Sequence, residues 1–205
     1  MEKKQKVRAV FQIGAWLAFI MLGYLGIRSY KLSIEKLKTN ACIEEIGTLA
    51  RTIQMYFQNQ RNYGEFNYKQ AVDFKLIPEN MFREGFKEAT NAYLGGVDFF
   101  YSSLSPSDPK SAFEISFQGL SSYACRELVK MNWNSNDMSN LIAVAGYPIP
   151  TPSGVLDEIY PDTPQDNIKS RNIYKANEAP YIPSDKLEFI CDCGDDVCSV
   201  VWKFH

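Results

Sequence analysis

The strongest constraint on this chain is an uncharged apolar run near its beginning. From Ala9 to Ile27 the sequence reads AVFQIGAWLAFIMLGYLGI, 19 residues without a charge and with Gln12 as the only strongly polar side chain. A helix of this length rises about 1.5 Å per residue and crosses roughly 30 Å of hydrocarbon. A helix is favoured because lipid cannot satisfy unpaired backbone groups. We therefore predict a transmembrane helix over residues 9–27, preceded by a basic cytoplasmic tail or leader over residues 1–8.

A cleaved secretory signal is the alternative interpretation of this run. Such a signal has an apolar region of about 7–15 residues, followed by a cleavage site made of small residues. Here the run is longer and continues into Arg28-Ser29-Tyr30-Lys31 without an Ala-x-Ala site. These two differences favour a retained membrane anchor.

Charge is divided unevenly along the chain. Residues 1–40 contain eight Lys or Arg and two acidic residues, whereas residues 41–205 contain 14 and 22. The net charge of −2 excludes a broadly basic nucleic-acid binder. Basic residues ahead of the apolar run favour a cytoplasmic N-terminus, and clustered cysteines favour an oxidising compartment for the body. We expect a single-pass protein of the bacterial inner membrane with a periplasmic C-terminal domain.

An amphipathic helix is predicted to continue the anchor over residues 28–60. Apolar residues recur along one helical face, namely Ile34, Leu37, Ala41, Ile46, Leu49, Ala50, Ile53 and Phe57. The opposite face carries Glu44, Glu45, Arg51, Gln54 and Gln58. Anchor and amphipathic helix are expected to form one rod of about fifty residues, roughly 75 Å long. Two helices with a kink near Ser29–Ser33 are the alternative.

The remaining residues, 61–205, are predicted to form a small α+β domain with an antiparallel sheet. A short helix is expected near Lys69–Phe74 and a second one, capped by Ser121 or Ser122, over Tyr123–Met131. Strands are predicted from alternating or apolar segments at Val97–Ser102, Phe113–Phe117 and Leu141–Ala145. In Phe113–Phe117 the alternation places Glu114 and Ser116 on the polar, outward side.

The last third of the chain is predicted to be a long loop followed by a hairpin. Residues 146–185 hold seven of the ten prolines, a composition typical of a surface loop. Leu187–Cys191 and Val197–Phe204 flank a short acidic turn containing Gly194, which indicates a terminal β-hairpin.

The order of these segments resembles a type IV pilin, in particular the type IVb branch that includes toxin-coregulated and thick conjugative pilins. The resemblance covers residues 10–145 and the last fifteen. It is carried by the segment Ile43–Tyr63, by Asn91-Ala92-Tyr93-Leu94-Gly95-Gly96-Val97, and by Phe113–Phe117 followed by Ser122–Val129 with its cysteine. It implies a long N-terminal helix packed on a small antiparallel β-sheet domain with a cysteine-bounded C-terminal region.

The resemblance also implies a function in filament assembly. The chain would be a major or minor subunit of a type IV pilus-like filament, and the head domain would be exposed for subunit or surface contacts. Small residues of the apolar helix, Gly14, Ala15 and Ala18, would permit close helix packing. The assembly helix would also use Ile46, Leu49, Ile53 and Phe57, which cover the sheet of the head. Candidate surface contacts are Tyr147, Tyr160, Tyr174 and Tyr181.

The partners implied are the lipid bilayer, other pilins or further copies of the chain, the inner-membrane assembly machinery and a prepilin peptidase. The sequence departs from prepilins at one point. Their mature fifth residue is usually Glu, and a cut after Ala9 or after Gly14 leaves no Glu there. The alternative function is therefore a non-processed, membrane-anchored periplasmic accessory or binding protein. A secretion pseudopilin with a Ca²⁺-binding loop is a further alternative.

Four cysteines in the body, Cys125, Cys191, Cys193 and Cys198, are predicted to form disulfides. Cys191, Cys193 and Cys198 with His205 could instead bind zinc, but Cys-x-Cys is not the usual zinc-knuckle spacing. Four cysteines allow three pairings. The pilin resemblance implies that Cys125 pairs with either Cys191 or Cys193. If Cys125 pairs with Cys191, Cys193–Cys198 across the predicted hairpin is the second bridge. Cys42 would be either free and packed or an intersubunit link.

Enzymatic chemistry finds little support in the sequence. The lone histidine, His205, lies at the C-terminal end of the sequence, where a side chain is usually too mobile to serve as a positioned general base. Six acidic residues in loops could bind Ca²⁺, but no spaced Asp/Asn loop is present; they are Asp157, Glu158, Asp162, Asp192, Asp195 and Asp196. We predict that the protein is not an enzyme and uses neither a metal nor another cofactor.

Overall fold

A computed structural model of the chain describes residues 2–131, 140–148, 154–164, 168, 173–175, 182, 184–194 and 197–205. The chain divides into two compact units, Met1–Leu37 and Lys38–His205. The first unit is helical throughout its described length. The second unit, called the head domain below, contains all of the strands that the structure describes.

The first element is helix α1, Glu2–Phe57, which contains 56 residues. It runs without a break through the segment where a kink was the alternative. There the Ser33 hydroxyl donates a hydrogen bond of 2.9 Å to the Ser29 carbonyl, four residues earlier. This back-bonding satisfies the hydroxyl inside a helix, although serine is a weak helix former.

Five antiparallel strands form the sheet of the head domain, in the order β1-β2-β5-β3-β4. Their bounds are Val97–Ser102 for β1, Ala112–Leu120 for β2, Leu141–Pro148 for β3, Ile173–Lys175 for β4 and Cys198–Phe204 for β5. The strands predicted at Val97, Phe113 and Leu141 are confirmed. Strand β5 lies at the centre, because it pairs with β2 on one side and with β3 on the other.

Shorter helices surround the sheet. Helix α2 is Tyr68–Asp73, a 3-10 turn follows at Glu79–Met81, helix α3 is Ser122–Val129, and helix α4 is Ser184–Ile190. The N-caps agree with the residue types. The Asn67 side chain accepts a hydrogen bond from the Gln70 N–H at 3.2 Å, and the Ser121 hydroxyl accepts one from the Ala124 N–H at 3.1 Å.

The main hydrophobic core lies between the sheet and residues 42–57 of α1. Aromatic side chains dominate it: the rings of Phe117 and Trp202 meet edge to face at 5.6 Å, and those of Phe113 and Phe204 stack at 5.5 Å. Because strand side chains alternate, the opposite face of the sheet carries a second, smaller apolar cluster. Its members are Ala112, Ile142, Ala143, Ala145, Leu156, Ile159, Ile173 and Val201.

The predicted fold class is confirmed: a long N-terminal helix packs on an antiparallel sheet, with disulfides in the C-terminal region. The prediction of a terminal hairpin is wrong. The segment before Cys191 is helix α4, and β5 pairs with β2 and β3 instead. In a helix, Leu187 and Ile190 share one face, which a short alternating segment cannot distinguish from a strand.

The predicted surface loop over residues 146–185 is also wrong at several points. Strand β3 extends to Pro148, β4 occupies Ile173–Lys175, and α4 begins at Ser184. Leu156 and Ile159 are buried in the second apolar cluster. A proline-rich composition indicates irregular backbone, but it does not exclude burial of the apolar residues that lie between the prolines.

Candidate functional site

The first unit presents apolar side chains on its surface. From Trp16 to Leu37 the large apolar residues whose side chains are described are mostly exposed, among them Phe19, Ile20, Leu22, Leu25 and Ile27. Gly14, Ala15 and Ala18 lie within α1, and their side chains fall outside the part that the structure describes. In the described portion of the chain, no helix combines the length and the apolarity required to cross a membrane.

The face of α1 that packs within the head domain begins after Leu37. Leu37 was predicted to share this face, but it is 68% exposed, so that prediction is wrong. The buried residues recur with helical spacing, and they are Cys42, Ile46, Leu49, Ala50, Ile53 and Phe57. The four residues predicted for the assembly helix beyond the anchor are therefore core residues of the head itself.

Glu45 is the charged group on this buried face. It was predicted to lie on the polar side of the helix, but its side chain is only 6% exposed. Its carboxylate accepts hydrogen bonds from Arg83 Nη2 at 2.9 Å and from the Ala92 N–H at 3.0 Å. Burial raises the pKa of Glu45, while the Ala92 N–H and the Arg83 charge oppose the shift. Position 45 lies three residues after Cys42 and four before Leu49, so Glu45 is on the same buried face of α1 as these two residues.

Asn91 explains why the Asn–aromatic–Gly-Gly stretch precedes β1. Its buried side chain accepts hydrogen bonds from the Tyr93 N–H at 2.8 Å and the Gly95 N–H at 3.2 Å, and it donates one to the Gln118 carbonyl at 2.7 Å. A Cβ atom on Gly95 would lie 1.8 Å from that same carbonyl oxygen, so this position requires glycine. The Tyr93 hydroxyl in turn lies 2.9 Å from the Thr39 hydroxyl on α1.

Two disulfides hold the C-terminal region. Cys125 on α3 is bonded to Cys191 at the end of α4, and Cys193 is bonded to Cys198 at the start of β5. All four are buried. Helix α4 can approach β3 because of Gly146, where a Cβ atom would lie 2.0 Å from the Ile190 carbonyl oxygen. That close approach brings Cys191, the next residue, to α3.

Cys42 is the free cysteine among the described residues, and it is fully buried. Burial, reinforced by the nearby Glu45 charge, raises the pKa of its thiol to about 12. Since the thiolate is the reactive form of cysteine, the folded head keeps this group inert. Of the two sequence alternatives, the structure favours a free and packed thiol.

The predicted surface-contact tyrosines occupy different environments. Tyr147 and Tyr160 are half-buried, with part of each side chain at the surface. Tyr174 is only 8% exposed, so its prediction as a contact residue is wrong; it lies on β4 and packs into the main core. Tyr181 lies outside the described residues.

Sequence reasoning missed a set of exposed aromatic residues. Phe74, Phe82 and Phe86 are each 40–47% exposed on the head domain. The Phe74 ring stacks on Tyr56 at 4.9 Å, so α1 and the residue after α2 share one aromatic surface. Their positions in irregular segments give no periodic signal, which explains why the sequence did not reveal them.

Two charged residues are buried on the outer face of the sheet, the face that carries the second apolar cluster. Glu114 on β2 and Lys203 on β5 are directly opposite each other, and neither is exposed. Burial, followed by the charge of Asp157, raises the pKa of Glu114 to about 7. Burial lowers the pKa of Lys203 to about 8, opposed by the Glu114 and Asp157 charges. Glu114 was predicted to face outward into solvent, and its burial, like that of Ser116, corrects that prediction.

The acidic loop residues do not assemble a metal centre in the described ranges, where no group of three or more His, Cys, Asp or Glu could hold a metal ion. Asp195 and Asp196 fall outside those ranges. The zinc alternative is not supported, because Cys191, Cys193 and Cys198 are in disulfides. His205 is tied by its backbone to Asn140 and Gln54.

Comparison with known proteins agrees with this architecture. Residues 36–152 match the profile of the family described as PilS N terminal. The fold is similar to a crystal structure of TcpA, described as a type IV pilin from Vibrio cholerae El Tor biotype, with a TM-score of 0.56 and 14% sequence identity. That similarity covers 82% of this chain and 99% of TcpA. No curated protein sequence matches the chain. The family match spans more than half of the sequence, and the chain belongs to the type IV pilin family.

Proposed function

We propose that this pilin is a major or minor structural subunit of a type IV pilus-like filament, assembled through its apolar N-terminal helix. The observation that carries the proposal is the contrast within α1. Between Trp16 and Leu32, the large apolar side chains that the structure describes are exposed, whereas the face from Cys42 to Phe57 is buried in the head domain. The first part therefore needs an apolar environment that the described chain does not supply.

Covering the exposed apolar side chains of α1 would lower the free energy. Burying one large apolar side chain contributes about 1.5–3 kcal/mol. Phe19, Ile20, Leu22, Leu25 and Ile27 together would contribute on the order of 10 kcal/mol if lipid or neighbouring helices covered them. This is comparable to the cost of bringing two chains together, about 4–15 kcal/mol, so each helix needs several neighbours or a bilayer.

Membership of the family indicates a membrane-anchored or filament location. We place the chain before assembly in the bacterial inner membrane, with one span over residues 9–27 and the head domain in the periplasm, and after assembly in an extracellular filament. Its partners would be other pilins or copies of itself, the assembly machinery and a prepilin peptidase. The role is structural rather than enzymatic, and half-buried Tyr147 and Tyr160 are the remaining surface-contact candidates.

The proposal is tested by shearing cells that express the chain and probing the released filaments with an antibody against the head domain. We expect the chain in the sheared fraction, with a mature N-terminus generated after Ala9 or Gly14. Ile20→Arg should abolish the filament signal while the head still folds, because a charge is costly in a packed apolar helix. Val72→Arg, which adds the same charge at an exposed position of the head, is the matched control.

A second candidate function is a non-processed accessory or binding protein that stays in the membrane. The missing Glu at the fifth mature position favours it. An intact Met1 in the membrane fraction, together with no chain in sheared filaments, would establish this candidate and reject the filament subunit. A pseudopilin with a Ca²⁺-binding loop would instead show a rise in the melting temperature of the head when Ca²⁺ is added.

A further inference from the structure

Residues 154–160, called the strap below, cross the outer face of the sheet. Two apolar residues of the strap hold it there: Leu156 is fully buried and Ile159 nearly so. They pack into the second apolar cluster with Ala143 on β3 and Val201 on β5. The strap therefore covers apolar surface that the sheet would otherwise present to solvent.

Polar contacts fasten the strap at its centre. Lys203 Nζ donates hydrogen bonds to the carbonyl oxygens of Leu156 at 2.8 Å and of Asp157 at 3.3 Å. The ring of Tyr160 lies 5.5 Å from the same ammonium. At the side of the strap, the Ser102 hydroxyl donates to Asp157 Oδ1 at 2.9 Å. Lys203 is fully buried, so its ammonium depends on these strap groups in place of water.

Glu114 faces the same ammonium but does not bind it. It lies opposite Lys203 in the β2–β5 register, and it is fully buried. Within the described part of the chain, neither of its carboxyl oxygens makes a hydrogen bond of good geometry. The Ser102 hydroxyl and the Leu156 N–H lie near enough to lower its pKa somewhat, but burial outweighs them and favours the neutral carboxyl. An ionised Glu114 would attract the Lys203 ammonium away from the strap carbonyls and would repel the Asp157 carboxylate.

We propose that the strap is a proton-controlled cover over the outer face of the sheet, closed when Glu114 is protonated and released when Glu114 ionises. In the closed arrangement the Lys203 ammonium is committed to the carbonyls of the strap. On ionisation Glu114 competes for that ammonium, and the strap loses its central fastening. Release would expose the apolar outer face around Ala143 and Val201.

The charged groups described around Glu114 come from three elements. Lys203 lies on β5 and Asp157 on the strap. On β1, Asp98 shares the outer face and accepts a hydrogen bond of 2.7 Å from Gln118 Nε2. Asp98 already accepts a hydrogen bond from Gln118. Glu114 is therefore the carboxyl that would compete with the strap carbonyls for the Lys203 ammonium.

The direction of the pH dependence follows from linkage. The closed strap raises the pKa of Glu114 from its ordinary 4.5 to about 7, and release would return the group to solvent. The closed state therefore holds the proton more tightly, and its advantage is fully present below about pH 4.5 and lost as the pH rises to about 7. One linked proton limits the change to about tenfold per pH unit. The lowered pKa of Lys203, about 8, acts in the opposite direction only at higher pH.

The test is amide hydrogen exchange on the full-length chain in detergent micelles between pH 5 and pH 7.5, with rates corrected for intrinsic exchange. The reporter is the Ile159 N–H, which donates to the Leu156 carbonyl at 3.0 Å within the strap. We expect its protection factor to fall by up to about tenfold per pH unit until about pH 7, while amides of β2 and β5 keep theirs.

Two variants separate Glu114 from other titrating groups. Glu114→Gln, a neutral isostere, should keep the strap protected and remove its pH dependence. Asp98→Asn, the matched control on the same face, should retain the wild-type profile. A flat wild-type profile overturns the proposal, as does a Gln variant that keeps the wild-type slope. Loss of protection across the whole sheet with the strap also overturns it, since it would indicate global unfolding.

Discussion

Replacement of Arg83 tests how the buried carboxylate of Glu45 is stabilised. Arg83→Met removes the cation that lies 2.9 Å from Glu45 and the hydrogen bond of 2.6 Å from Arg83 Nη1 to the Asn91 carbonyl. Breaking a buried ion pair costs about 3–5 kcal/mol, because one charge is left without a partner. Arg83 is 27% exposed, so solvent screens part of the interaction, and we expect a loss near the lower end, about 3 kcal/mol.

The contribution of the charge pair itself follows from a double-mutant cycle. In a Glu45→Gln background the amide can still accept from the Ala92 N–H, and Arg83→Met should cost only about 1 kcal/mol, the value of a single hydrogen bond. The coupling energy would then be about 2 kcal/mol. Urea denaturation of the four proteins at pH 7 gives this value, and a coupling below about 0.5 kcal/mol would refute the reasoning.

The pH dependence gives a second check on the same pair. Burial raises the pKa of Glu45, so the folded state binds its proton more tightly than the unfolded state does. Without Arg83 that pKa should rise further, and acidification should neutralise the stranded carboxylate. The stability lost in Arg83→Met should therefore be largest at neutral pH and shrink as the pH falls toward the ordinary carboxyl range. A loss that stays constant with pH would show that Glu45 is not the cause.

Three further predictions concern the head domain. Gly95→Ala places a Cβ atom 1.8 Å from the Gln118 carbonyl oxygen and should destabilise the head by about 2–4 kcal/mol, whereas Gly96→Ala, with ordinary contacts of 3.8 Å, should cost less than half as much in thermal unfolding. Cys42 should resist a maleimide reagent in the native protein and react fully in urea; labelling of the folded protein would contradict the buried thiol. Cys125→Ser opens a bridge of sequence separation 66, and chemical denaturation should show a loss of about 4 kcal/mol on the chain-entropy model, while an unchanged midpoint would contradict it.

Local patterns predicted those parts of the fold that local physics determines. The alternation in Phe113–Phe117 and the helical spacing from Ile46 to Phe57 report which faces are apolar, and the structure has a strand and a helix there. The N-cap at Ser121 is likewise a contact between near neighbours in sequence. The family resemblance supplied the packing of the long helix on an antiparallel sheet, and the fold comparison agrees with it.

Long-range contacts explain what the sequence did not reveal. Glu114 alternates correctly with its apolar neighbours, but the strap covers the face on which a polar residue would normally meet water. Glu45 is buried because Arg83, 38 positions later, returns to pair with it. Cys125 is bonded to Cys191 rather than to Cys193 because α4 approaches β3 at Gly146. No local sequence pattern indicates this approach.

Because β5 is the central strand of the sheet, the head domain cannot finish folding until this last strand has paired. Strands β2 and β3 precede β5 in the chain, and each pairs with it along one edge. Until β5 arrives, both strands have an open edge, and such edges invite pairing with other chains. While the chain folds, the head would remain two unjoined pieces of sheet, β1 with β2 and β3 with β4, until β5 is added. Docking of this last strand both joins the sheet and closes the inner edges of β2 and β3.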